Sequence, residues 1–410
     1  MQLLEGALRT YAWGSRTAIA ELCGRPVPSN HPEAEVWLGA HPADPARLLG
    51  GADPVSLLEA VDADPASQLG DRARAEFGDR LPFLLKLLAA EEPLSLQAHP
   101  SAIQAKEGFQ REEAAGIPLD SPVRNYRDDS HKPELVVALT RFEVLAGFRD
   151  PHRTIELLMA LEVPALDHYI ALLAGQPDSS GLRALFTTWI TLPPPALEAL
   201  LPQILEGCVR YLSGGPGSRA YTAELRTVLG LGESYPGDAG VLASLLLNRI
   251  TLQPGEGLYV AAGNLHAYLH GLAVEVMANS DNVLRGGLTP KHVDVPELLR
   301  VLDFEPLTGP VLTPSAVPGA ATVVYETPAP EFALTRVDLD RSGDRHPASV
   351  EFELAGPRIL LCTSGSVTLR SGGKTLDLEQ GGAAWIAASD PELVAVARTS
   401  TAQVFSAAVG

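Results

Sequence analysis

The segment Leu252-Gln253-Pro254-Gly255-Glu256-Gly257-Leu258-Tyr259-Val260-Ala261-Ala262 returns as Leu378-Glu379-Gln380-Gly381-Gly382-Ala383-Ala384-Trp385-Ile386-Ala387-Ala388, at a constant offset of 126 positions. Each copy runs polar turn, glycine, then a short strand with one aromatic residue, which is the pattern of a hairpin in antiparallel sheet. Two copies of one hairpin predict two related antiparallel barrels of the jelly-roll or cupin type. The later copy has Glu392 where the earlier has His266, so the carboxy-terminal barrel is expected to hold no metal.

Between the copies the apolar period lengthens. Leu197, Leu200, Leu201, Ile204, Leu205 and Cys208 fall on one helical face that opens after Pro193-Pro194-Pro195. A further helix is expected after Pro236-Gly237-Asp238, capped by Asp238 and running from Val241 to Leu247. Before this stretch, short apolar runs such as Leu81 to Leu88 alternate with Gly, Pro and Asp clusters, predicting strands with short helices. After Arg249 the period approaches two and an all-β region is expected. A chain of 410 residues exceeds what one core organises. The fold class read from this is mainly β with an α-helical insert. Residues 1–150 and 249–320 form a catalytic cupin barrel, 151–248 the helical insert, and 321–410 the metal-free barrel.

Apolar residues make up 46% of the chain, yet no run reaches the roughly 18 that cross a bilayer, which argues against a membrane protein. The first residues lack the basic and apolar stretches of a signal peptide. Cys23, Cys208 and Cys362 are too few and too far apart for a disulfide framework. A cytoplasmic protein is expected. A formal charge of −19 repels nucleic acid and anionic lipid at long range, so an anionic small molecule would need locally placed cations.

Several polar residues interrupt apolar strands. Ser95, Gln97 and His99 alternate in Leu94-Ser95-Leu96-Gln97-Ala98-His99-Pro100, so on an extended strand they share a face. A solvated strand edge would present the same row. His131-Lys132-Pro133-Glu134 leads into the apolar Leu135-Val136-Val137-Ala138-Leu139 and puts Glu134 at a strand mouth, where a surface ion pair would look alike. His266 follows the glycine turn Gly263-Asn264-Leu265 at a predicted strand end. Together Gln97, His99, Glu134 and His266 offer two imidazoles, a carboxylate and an amide oxygen, a donor set of the size zinc takes, although iron or manganese accept similar donors. Glu275 lies between Val274 and Val276, where a carboxylate is costly unless paired. It reads as a general base, as a group beside the metal, or as a structural partner of Arg285. Arg285, beside Gly286 and Gly287, stands where the backbone can approach a ligand and can bind an oxyanion. Lys86, Lys132 and Ser95 are candidates to gather phosphate oxygens.

Read together, these segments resemble the type I mannose-6-phosphate isomerases, also called phosphomannose isomerases. The resemblance rests on Tyr11-Ala12-Trp13-Gly14-Ser15, Glu35-Val36-Trp37-Leu38-Gly39, Pro82-Phe83-Leu84-Leu85-Lys86-Leu87 and Leu96-Gln97-Ala98-His99-Pro100. It continues through His131-Lys132-Pro133-Glu134, Gly263-Asn264-Leu265-His266-Ala267-Tyr268 and Asp281-Asn282-Val283-Leu284-Arg285-Gly286-Gly287-Leu288-Thr289-Pro290-Lys291. It implies a cupin barrel interrupted by a helical domain, a second cupin barrel, and one zinc ion per chain at Gln97, His99, Glu134 and His266. It also implies an essential role for Arg285 and places Lys86, Ser95, Lys132, Tyr268 and Glu275 in the active-site pocket.

Interconverting an aldose and a ketose moves a proton between adjacent carbons while a carbonyl oxygen gains charge, so a base and a cation are both required. The expected scheme gives proton transfer to Glu275 or Lys132, charge stabilisation to Arg285, and phosphate and sugar binding to Ser95, Lys86 and Tyr268. The expected partner is a sugar phosphate, with no nucleic acid or membrane, and the chain is expected to be a monomer. Two other readings stay open at this point. One is a non-catalytic sugar-phosphate-binding cupin, and the other an iron-dependent oxygenase using His99, Glu134 and His266 as a facial triad.

Overall fold

Phe83–Ala90 is buried at every position, which a strand sustains only inside a sheet covered on both faces. It lies between Glu35–Leu38 and the long strand His266–Ala278. The computed structural model describes residues 1–410 except 52, 215–219, 318–320, 343–345 and 354–355. The expected boundary at 320 falls on residues outside that description.

His266–Ala278 belongs to both halves of an eleven-stranded sheet. Its second half pairs with Phe83–Ala90 and Glu134–Ala138. Its first half pairs with Phe142–Phe148 and, at His266, with Leu96–Ala98, whose other edge takes Leu284–Gly287. The change of sheet occurs at a register shift between Tyr268 and His270, followed by Gly271 at φ 123°. A Cβ there would lie 2.6 Å from the Arg141 carbonyl oxygen, so the bend demands glycine. Strict alternation would turn His266 and Glu275 to opposite faces. The extra residue, Leu269, restores the phase, and Tyr268, Glu275 and Met277 all line one cavity.

The helical region packs on the far side of this sheet. It comprises Pro151–Ala160, Asp167–Gly175, Ser179–Ile190, Pro194–Ser213, Thr222–Ser234 and Gly240–Ser244. Leu96, Ala98, Leu265 and Ala267 share one core cluster with Leu157, Phe186 and Trp189. Alternation then directs Gln97 and His266 away from the helices and toward the cavity. The face expected on the helix after Pro193 is the buried one, with Leu197, Leu200, Leu201, Ile204 and Cys208 inside.

Two expectations are corrected. The helix after Asp238 stops at Ser244, and Leu247 already begins the strand Leu247–Leu252. Asp238 accepts from the Gly240 amide at 2.7 Å but the N-cap is Ala239, and buried Arg149 takes the Leu245 and Leu247 carbonyls at 3.0 and 2.5 Å and ends the helix. The region after Arg249 is not all β, since Val295–Val301 is helical, opened by Asp294 accepting from the Glu297 amide and by a proline in its first turn.

In the carboxy-terminal third a nine-stranded sheet faces the four-stranded sheet of Ser349–Phe352, Leu393–Ala397, Val367–Ser371 and Lys374–Leu378. The repeated hairpin keeps its offset of 126 positions in the structure. Gly255 and Gly381 have φ 89° and 82°, and the strands that follow are Gly257–Val260 and Ala383–Ile386. Ala383–Ile386 pairs with Gln2–Glu5, so the amino-terminal strand completes the carboxy-terminal sheet. The fold is mainly strands with a helical region, of cupin type, and among the described residues no sheet closes into a ring. Among them, too, no helix is long and apolar enough to cross a membrane.

Candidate metal centre

Three of the four sequence-derived ligand candidates converge. The side-chain donors of His99, Glu134 and His266, all buried, lie within 4.8 Å of one another. His99 Nε2 stands 3.2 Å from Glu134 Oε1, and His266 Nε2 stands 3.4 Å from Oε2. The other ring nitrogens are committed to the backbone. His99 Nδ1 lies 2.8 Å from the Asn282 carbonyl and His266 Nδ1 3.1 Å from that of Asn264. Those contacts assign the protons to Nδ1 and leave each Nε2 as a bare lone pair.

Both Nε2 atoms are buried without a hydrogen-bond partner. Burial lowers the His99 pKa to about 4, outweighing the pull of Glu134 and aided by Lys132. The imidazole is therefore neutral at pH 7. Burial would raise Glu134, but above all the Lys132 ammonium holds it well below its ordinary value. Acceptors thus face acceptors in a buried space, an arrangement that a cation between them satisfies. The donor set fits a divalent metal on these grounds.

Gln97 stands opposite His266 on one side and opposite Arg285 on the other. Directly opposed residues point the same way with Cβ atoms about 5 Å apart, so His266, Gln97 and Arg285 form a row on one face. Gln97 lines the cavity beside Glu134. Gly263 ties the site's two segments together: its amide donates to the His99 carbonyl at 2.9 Å, and at φ 80° a Cβ would lie 2.9 Å from the Asp303 nitrogen.

The cavity holds about 540 Å³. Beside the ligand cluster runs a buried chain of charges. Lys132 Nζ is 3.0 Å from Glu134 Oε1. The Tyr268 hydroxyl donates to Glu275 at 2.9 Å and lies 3.4 Å from Glu134. Lys86 sits 3.1 Å from Glu275 and 3.5 Å from Glu35, and Trp37 Nε1 donates to Glu35 at 2.7 Å. Burial, with Glu134 and Glu35 nearby, raises the Glu275 pKa against the opposing Lys86. Burial and then the two carboxylates raise Tyr268 well above its ordinary value. Burial would lower Lys86, but Glu275, Glu35 and Glu134 raise it, so Lys86 is a fixed cation already shared by two anions.

Glu275 is paired with Lys86, its cross-strand neighbour, and not with Arg285, which lies on a different strand. Arg285 and Lys291 line the cavity and make no ion pair among the described residues. Burial followed by repulsion from Arg127 lowers the Arg285 pKa, and burial, Arg285 and Arg127 lower that of Lys291. These two are the cations free to take an anion, whereas Ser95 lines the same cavity and Lys86 is engaged.

Sequence reasoning passed over Glu35, His41, Lys291 and Asp281, all of which line the cavity. His41 Nε2 stands 3.4 Å from Asp281, and burial, opposed and outweighed by His41, leaves the Asp281 pKa below its ordinary value. The His41-Pro42 pair mirrors His99-Pro100 after a strand and was a readable signal. His131, next to Lys132, pairs with Glu331 from the carboxy-terminal third at 2.5 Å.

Residues 1–151 match the sequence profile of the phosphomannose isomerase type I catalytic domain. The mannose-6-phosphate isomerase of Escherichia coli (strain K12) is 39% identical over 409 residues, covering 99% of this chain and 100% of its own. A crystal structure of a phosphomannose isomerase mutant from Salmonella typhimurium superposes with TM-score 0.89 at 35% identity, covering 99% of this chain and 98% of that one. A mannose 6-phosphate isomerase crystallised with zinc and yttrium superposes with TM-score 0.88 at 36% identity and the same coverage.

Proposed function

The chain belongs to the type I phosphomannose isomerase family and is a mannose-6-phosphate isomerase, and from that premise we propose a zinc-dependent interconversion of mannose 6-phosphate and fructose 6-phosphate, with one ion per chain held by Gln97, His99, Glu134 and His266. The observation that carries the metal is the pair of orphaned imidazole nitrogens facing the Glu134 carboxylate. A mixed nitrogen and oxygen donor set and the zinc-bound neighbour support zinc. Bound there, zinc would supply Lewis acidity to substrate oxygens.

The protein's own groups divide the remaining work. A proton leaves the carbon beside the carbonyl and returns one carbon over, through an enediolate. Glu275 is the proton carrier in this reading, because a carboxylate whose pKa is raised by burial is better matched to a carbon acid than an exposed one. Lys86 and Tyr268 fix its two oxygens. Lys132, held at Glu134, steadies charge on the reacting oxygens. The phosphate is seated by Arg285 and Lys291 with Ser95 beside them, since among the described residues these cations have no carboxylate partner and Arg285 stands one row beyond Gln97. Binding at that distance orients the sugar without touching the reacting carbons. The same reading takes the chain to work as a monomer in the cytoplasm. Relatives that match over nearly the whole chain are isomerases, which gives no support to an oxygenase or a binding protein.

Chelation followed by reconstitution tests the reading. The stripped chain should lose turnover of mannose 6-phosphate to fructose 6-phosphate and regain it with about one equivalent of zinc per chain. Full turnover in metal-free protein would reject it.

A further inference from the structure

Asn282 opens the Asn-x-x-Arg-Gly-Gly stretch, and the metal and phosphate assignments leave its side chain unused. That side chain is completely buried. Its amide nitrogen donates to the Asp128 and Ser130 carbonyls, each at 2.8 Å, and to Asp128 Oδ1 at 3.2 Å. Its amide oxygen accepts from the Arg127 and Asp128 amides at 2.7 and 3.3 Å. Asp128 answers from the loop side, accepting from the Ser280 hydroxyl and the Asp281 amide, both at 2.8 Å. Meanwhile the Asn282 carbonyl takes the Nδ1 proton of His99 at 2.8 Å. One residue therefore touches both the 127–130 loop and a metal ligand.

We propose that Asn282 is a positioning residue that locks the 127–130 loop to the His99 side of the site and thereby sets Lys132 against Glu134. The inference rests on the reading of Lys132 as the cation at the reacting oxygens. Lys132 lies two residues beyond Ser130, and its side chain is about nine-tenths buried, so where the loop sits decides where Nζ can reach. Only an amide both donates to two carbonyls and accepts from two backbone amides from one short stem. A network satisfied at every member is stiff, and a displacement of about 1 Å at a catalytic group can cost on the order of 100-fold in rate.

The test is a double-mutant cycle on the zinc-loaded enzyme. Asn282→Ala should lower kcat on the order of 100-fold while KM stays within about threefold. Asn282→Asp keeps the size and the acceptors but loses the donors, and should follow the same direction. It carries the comparison should the alanine variant not fold. Combined with Lys132→Met, either change should slow the reaction no further than Lys132→Met alone. An unchanged kcat in Asn282→Ala, or losses that multiply in the double variant, overturns the proposal. Unimpaired turnover in Lys132→Met would instead remove the reading of Lys132, and the inference with it, whereas a slow Lys132→Met with multiplying losses removes the inference only.

Discussion

His99 shows how one side chain can bind pH, stability and metal retention together. Its folded pKa is about 4 against 6.5 in an unfolded chain. Between those values the unfolded chain takes up a proton that the folded one refuses, so stability falls as pH drops through the window and is flat above 6.5. Glu275 shifts the opposite way, so the contribution is read as a difference. Zinc-stripped protein should lose more thermal stability between pH 7 and 4.5 than its His99→Gln variant loses, and equal losses would contradict the neutral imidazole. The residues that announced themselves in sequence, among them Lys86, His99, Glu134, His266 and Glu275, are polar groups set in or beside apolar strands. Asp128 and Asn282 did not, because each works through loop contacts to distant chain, as in the bonds between Asn282 and Ser130, and no local pattern records such a contact.

Among elements, the strand His266–Ala278 does most to assemble the site. Its sharp bend depends on Gly271, whose φ of 123° suits no side chain and whose missing Cβ leaves room for the Arg141 carbonyl. Gly271→Ala should cost about 2 kcal/mol or more, read as a lower denaturation midpoint. An unchanged midpoint would show that the bend relaxes without cost. Hairpins and helices whose signals are local were legible, including the repeated turn at Gly255 and Gly381 and the helix Pro194–Ser213. The helix Val295–Val301 had its signal in Asp294 and Pro296, but seven residues inside a β-rich stretch do not shift an apolar period. The end of the helix at Ser244 was set by Arg149, nearly a hundred positions away, where no local rule reaches.

On the scale of the whole molecule, the parts are less separable than a three-part reading of the chain suggests. Gln2–Glu5 supplies an inner strand of the carboxy-terminal sheet, between Ala383–Ile386 and Arg47–Leu49. A fragment of residues 321–410 would therefore expose the open edge of Ala383–Ile386. It should associate or precipitate when expressed alone, and a well-dispersed monomer spectrum from it would disprove the dependence. The same pairing has a temporal side. The strand Gln2–Glu5 must wait for a partner made some 380 residues later, roughly 20–80 s at ordinary elongation rates. Co-translational folding can assemble the eleven-stranded sheet first, but the nine-stranded sheet stays unsealed until Ala383–Ile386 emerges, and that interval is when a chaperone would have most to hold.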